Sequence, residues 1–232
     1  MIKVLLLVLF SFFITGCNSE NSEKADFGNG IRVTKKAFDA PVNEQPFYGF
    51  IEKSAQLEKA DKRFLDAVDS SEHSRKQWFD DAIFKGWEAI EKQDYGLAAR
   101  RFNQAHLISP AHASVFHGFA VIVHERFKDA AFAEELFQAG SKQAEKPHNY
   151  MADYGRLLLI INKPKEALPI LEIGVEHSPL NPNAWSNLAI ARLYAGRSEA
   201  ACEAIEEAEK LSPPPYVHSD ILWLRRNANC EN

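Results

Sequence analysis

The apolar positions divide the chain into stretches of different character. Val4 to Ile14 is an apolar run, interrupted only by Ser11, that begins behind Lys3. From Asn18 the sequence NSENSEKADFGNG is polar and offers little to bury, which reads as a flexible tether. IRVTKKAFDAPVNEQPFYGF is less polar and leaves two readings open, a piece docked on the rest of the chain or a short extended segment. From Ile51 the apolar residues recur at three- and four-residue steps, the spacing of one helix face. Leu57, Ala60, Phe64, Leu65 and Val68 predict a helix over 51–68. Asp69-Ser70-Ser71 interrupts it, and a longer helix is expected from Ser74 through Ile90 with Trp78, Ala82, Lys85, Gly86 and Ala89 on its packing side. Further helices are expected over His148–Ile161, Pro164–His177, Asn183–Ala195 and Ser198–Leu211. Pro164 suits a first helical turn. A last helix is permitted by Val217, Ile221, Leu222 and Leu224, with Arg225 and Arg226 favourable near its end.

The pattern repeats. Gly155 and Ala189, Ala167 and Ala201, Leu171 and Ile205, Gly174 and Ala208, and Pro179 and Pro213 are each 34 residues apart. A period of 34 marks paired helices stacked as a solenoid, because one pair alone cannot bury its apolar face. Small residues let helix backbones approach, large ones fill the space between, and Pro179 and Pro213 stop the second helix. The same register holds at Gly86, Ala98, Phe102, Ala105 and Pro110. A weaker unit lies between, with Phe116, Phe119, Ala120, Ala133, Phe137 and Gly140. Its first helix is displaced by 34 (Gly86 to Ala120) and its second by 35 (Ala98 to Ala133), so one extra residue falls in the turn around 127–129.

These units resemble the tetratricopeptide repeat family. The resemblance implies an all-α fold, an α-solenoid of stacked antiparallel helix pairs, with units at 79–112, 113–147, 148–181 and 182–215. A capping helix region at 51–78 and a closing helix with tail at 216–232 would cover the two ends, the latter alternatively half of a fifth unit. Lys85 and Arg192 depart from sites that are usually large and apolar, and Pro169 should kink its helix. The family's first helices line the concave side. Carried onto this chain, that surface comprises Ile83, Trp87 and Ile90, then His117, Val121 and His124, then Arg156 and Leu159, and finally Ile190, Leu193 and Tyr194. Some proteins of this type hold a terminal carboxylate with a Lys/Asn clamp; Ile83 and Trp87 stand where such a clamp would begin, which disfavours that mode. The strip better suits an amphipathic helix or extended peptide, with Trp87 and Tyr194 as anchors. Alternatively, the segment around Phe47–Phe50 or the neighbouring units fill it. A closing helix antiparallel to the last second helix would bring Cys202 near Cys230, so a disulfide is one reading and two unrelated thiols the other.

Export is expected from the N-terminus. The run Val4–Ile14 is too short to span a bilayer as a stable helix. ITGC, Ile14 to Cys17, resembles the bacterial lipobox, which implies removal of residues 1–16 and lipid on Cys17, with 17–50 as a lipid-anchored tether. Some thirty flexible residues would reach on the order of 30 Å. Asn18 rather than Asp follows, which resembles outer-membrane sorting, facing the periplasm.

Composition narrows the function. A net charge of −5 is a poor basis for unaided nucleic-acid binding. No Cys/His spacing suits a metal, and HERFK at His124 lacks the second His of a zinc-protease motif. The eight His read as satisfied or solvated residues, and no catalytic motif or cofactor signature is present. The expectation is a lipid-anchored scaffold or adaptor that binds an envelope protein or peptide and is not an enzyme. Alternatives are an envelope hydrolase using groove histidines and a self-assembling structural lipoprotein.

Overall fold

The computed structural model describes residues 23–230; the apolar run and Cys17 lie outside the described residues. Among the described residues, a short antiparallel ribbon, β1 (Lys24–Asp26) and β2 (Arg32–Thr34), precedes two 3-10 turns at Val42–Glu44 and Pro46–Phe50 and ten α-helices. These helices are α1 (Ala55–Ser70), α2 (Arg75–Glu91), α3 (Tyr95–Ile108), α4 (Ala113–Glu125) and α5 (Ala130–Ser141), then α6 (Tyr150–Ile160), α7 (Pro164–His177), α8 (Pro182–Tyr194), α9 (Ser198–Lys210) and α10 (Pro215–Ala228). Helices α2/α3, α4/α5, α6/α7 and α8/α9 are the pairs, and the array is an all-α solenoid. α2 starts at Arg75, where a helix from Ser74 was expected, because Ser74 and Gln77 close a capping box there.

The 34-residue period has a backbone cause. Each pair turns through one left-handed residue: Gln93 (φ 59°), Lys128 (φ 55°), Asn162 (φ 61°) and Gly196 (φ 73°). The N–H of the next residue then bonds a carbonyl five positions back in three units, Asp94 to Ala89, Lys163 to Leu158 and Arg197 to Arg192. In the second unit the bond spans six, Asp129 to Val123. The extra residue therefore lies in the turn 126–129, where the other units have only 92–94, 161–163 and 195–197. Asn and Gly adopt this conformation readily, whereas Gln93 and Lys128 do so at a cost. Asp94 and Asp129 offset part of it by accepting the N–H of Leu97 and Phe132 at the start of the second helices. α7 runs on through Pro169, whose exposed position leaves the missing hydrogen bond on the solvent side.

The expected tether does not extend over residues 23–50. That stretch is a strap laid on α3, α4 and α5. Ile31, Val33, Phe47 and Tyr48 are buried. Phe38 stacks on Phe127 at 4.0 Å, so the inserted turn of the second unit supplies a ring for the strap. Glu44 bridges Arg100 of α3 and Arg126 after α4. Gln45, buried, accepts the Phe38 N–H (2.7 Å) and donates to the Ala40 carbonyl (2.6 Å). Polarity of the first half had suggested disorder, but the apolar residues that matter are few and each meets a specific partner. α1 packs lightly beside the strap and α2/α3; Val68 is its buried residue, and Phe64 meets the Trp78 ring edge-on at 6.0 Å.

At the other end α10 packs on α8 and α9. Cys202 and Cys230 are bridged, 28 residues apart in sequence. Arg225 grips Glu209 with two hydrogen bonds, 2.9 and 2.6 Å, and holds its carboxyl below the usual carboxylate range. That contribution is present at neutral pH and is lost as acid takes the pH down through the depressed value. Cys230→Ser is expected to cost about 2–4 kcal/mol and to free α10 first. The check is thiol labelling of the parent under denaturing, non-reducing conditions, in which neither Cys202 nor Cys230 should react, together with the denaturation midpoint of the variant.

Candidate functional site

The first helices form the inner side of the array. α2 approaches α4, α6 approaches α8, and α8 approaches α10, while the second helices pack on first helices rather than closely on one another. One junction differs. The backbones of α4 and α6 stand further apart than those of the other first-helix neighbours. The loop before α6 spans 142–149, twice the length of the links 109–112, 178–181 and 211–214. Aromatic side chains fill the widened seam. Tyr150 is fully buried and donates its hydroxyl to the Phe137 carbonyl (2.6 Å), and Phe137 and Tyr154 stack at 5.2 Å. Burial pushes the Tyr150 phenol well above its usual range, so it remains a donor.

A cleft of about 270 Å³ opens over this seam. Trp87 comes from α2, Val121, His124 and Glu125 from α4, Phe137 from α5, and Asp153, Arg156, Leu157 and Ile160 from α6. A larger cleft of about 750 Å³ adjoins it and shares Trp87. Phe79, Ile83, Phe84, Ile108 and Pro147 give it apolar walls, with Arg75, Lys76, Asp80, Glu145 and Lys146 at the polar positions. His112 lines it as well: its ring lies 4.5 Å from Phe79, and its Nδ1 accepts the Ser114 N–H. Burial lowers the His112 pKa, which keeps that nitrogen available as an acceptor.

The structure brings together part of the expected inner strip. Ile83, Trp87, Val121, His124 and Arg156 line the two clefts. His117 does not line them as expected: it is 1% exposed, wedged against Trp87 (4.7 Å) and Tyr150 (5.1 Å). Its Nε2–H donates to Asp153 at 2.8 Å, whereas Nδ1 is buried without a partner. Ile190 is 9% exposed and belongs to the core, and Ile90, Leu159 and Leu193 pack against that core. For these residues the neighbouring units do fill the strip. Tyr194 is exposed at the end of α8, outside both clefts. None of residues 23–50 lines either cleft, so the strap leaves the inner face open. Sequence reasoning missed Glu125, Asp153, Phe84 and Ile160. Asp153 had a signal, since it lies one helical turn before Arg156 and shares its face. Phe84, 63% exposed, and Ile160, 54% exposed, had none beyond their position on a helix of the inner row.

Among the described residues there is no group of three or more His, Cys, Asp or Glu placed to hold a metal, and no helix long and apolar enough to cross a membrane. No protein-family model matches the sequence, and a search of curated proteins finds no match. Solved structures do match. PilF of Pseudomonas aeruginosa superposes with a TM-score of 0.57 at 19% identity, over 67% of this chain and 71% of that one. Cut9, from the APC/C hetero-tetramer Cut9–Hcn1, gives 0.52 at 18% identity over 63% of this chain and 29% of its own. MamA gives 0.50 at 14% identity over 66% and 84%. Likeness at these identities speaks for the fold, and the chain has the fold of tetratricopeptide repeat proteins, a solenoid of stacked helix pairs.

Proposed function

We propose that the protein is a lipid-anchored scaffold of the bacterial envelope that binds a protein or peptide partner along its inner face and performs no chemistry on it. The observation that carries this reading is the pair of confluent clefts beside Trp87, rimmed by the exposed side chains Phe84 and Ile160. Exposed large apolar residues next to a concave apolar surface are the usual mark of a docking groove. Anchoring rests on ITGC and gains a consequence from the strap. From Cys17 to Glu23, the first residue of the strap that is described, the chain can span at most about 20 Å. The body would therefore stand close to the membrane rather than wander from it.

The experiment is capture from envelope membranes through photo-crosslinkers placed at Phe84 and Val121, with Leu180 on the α7–α8 link as the outside control. Partners should be captured from the first two positions and not from the third. Ile160→Asp and Phe84→Asp alter exposed side chains and should lower capture at least ten-fold with the fold intact. Unchanged capture by both folded variants would rule out the groove. Cys17→Ser should abolish fatty-acid labelling, and a labelled variant would remove the anchor from the proposal.

A further inference from the structure

The two clefts differ in chemistry, and the geometry points to their occupant: a polypeptide segment that sets a Lys or Arg side chain in the smaller cleft and an apolar side chain in the larger one. This rests on the reading of the inner face as a binding groove and adds the charge of the partner.

The smaller cleft carries two carboxylates, neither of which is paired with Arg156, the Arg of its lining. Glu125 and Asp153 both line it and are 42% and 39% exposed at the side chain. The Asp153 carboxylate meets His117, whose second ring nitrogen is buried without a partner. The imidazole lends Asp153 one hydrogen bond, and the rest of that carboxylate faces the cleft. Arg156 is one turn away on the same helix, yet its guanidinium reaches in the other direction. It lies 3.3 Å from the Asn187 Oδ1 and 3.4 Å from the Asp220 carboxylate on α10, which draws it away from Glu125 and Asp153. Glu125 meets the His124 ring Nδ1 at 3.0 Å and Lys128 at 3.6 Å, the latter a pair between exposed side chains that contributes little.

The remaining walls suit a long basic side chain. Trp87 offers an indole, the aromatic group that attracts cations most strongly. Val121, Leu157 and Ile160 offer apolar surface to a methylene stem, which lies on such surface while its charged end meets the carboxylates. A space of about 270 Å³ fits one such side chain, and the larger cleft joined at Trp87 takes the apolar neighbour.

The test is selection of random peptides of roughly twelve residues, displayed on phage, against the full-length protein and against its Glu125→Gln/Asp153→Asn variant. The amide oxygen introduced at position 153 would still accept the His117 N–H, and an unchanged denaturation midpoint confirms that the variant folds. Peptides selected by the parent should carry Lys or Arg within about four residues of a large apolar residue, about ten-fold above the library. With the variant the basic preference should fall to the library level while the apolar preference persists. Parent binders that are blocked by Val121→Glu but show no basic preference would overturn the cation site and leave the groove. A basic preference that survives in the variant would place the recognition of charge elsewhere and overturn the site. Failure of the parent to select any peptide would count against the site and the groove together.

Discussion

Phe102→Ala is expected to destabilise the first half of the solenoid by about 3–5 kcal/mol, the range for deleting a fully buried aromatic ring. The reason lies in two glycines on neighbouring helices. A Cβ built on Gly86 of α2 would lie 2.7 Å from the Phe102 ring, and one on Gly118 of α4 would lie 2.4 Å from it. The ring thus fills space that both helices give up, and it touches Trp87 (5.7 Å) and Phe119 (6.0 Å) besides. Without it those helices face a void that neither glycine can fill. The reverse change, Gly118→Ala, forces the ring to move inside a packed core and should cost about 1–3 kcal/mol or more. Combining Gly118→Ala with Phe102→Leu should recover part of the loss, since a smaller side chain leaves room for the new methyl. Chemical denaturation of the oxidised protein followed by circular dichroism gives the values. A Gly118→Ala midpoint equal to the parent's would show that the ring is not packed tightly against the Gly118 backbone.

Phe47→Ala should release the strap and cost a comparable amount, about 3–5 kcal/mol. Phe47, Tyr48, Gly49 and Phe50 all have φ near +50° to +65°, a run of left-handed residues. For residues with a Cβ each such conformation costs roughly 1–2 kcal/mol. Burial of the rings offsets the strain: Phe47 lies 4.7 Å from Phe119, 5.6 Å from Phe116 and 5.1 Å from His106. Removing the ring leaves the strain without its compensation, and the segment should revert to extended chain. Asn103→Ala probes the same strap from the other side. This side chain is 1% exposed, and its amide donates to the carbonyls of Asn43 (3.1 Å) and Gln45 (2.8 Å). Its loss should cost about 1–3 kcal/mol by stranding those carbonyls. Hydrogen exchange over residues 23–50 reads both variants. Protection that stays at the parent's level in Phe47→Ala would mean that the polar contacts of Glu44 and Gln45 alone keep the strap in place.

Local periodicity determined what the sequence shows without help. The 34-residue spacing of Gly155, Ala167, Leu171 and Gly174 with their counterparts specified helix pairs, because small and large positions must alternate wherever one helix crosses the next. The shift from 34 to 35 in the second unit placed its extra residue in a turn, where the backbone bond from Asp129 to Val123 now shows it. The tertiary structure decided two further things. Residues 23–50 have no period, so their apolar side chains carry no signal alone; only the partners Phe116, Phe119 and Phe127 show that they are strap rather than tether. The family register puts His117 and Ile190 on the same concave surface as Val121. The wider step between α4 and α6, with its longer loop and aromatic filling, buried His117 and left Glu125 and Asp153 at a cleft instead. A repeat register gives the face on which a residue stands, but the distance between neighbouring helices decides whether that face is core or groove, and that distance is a sum of packing contacts from many parts of the chain.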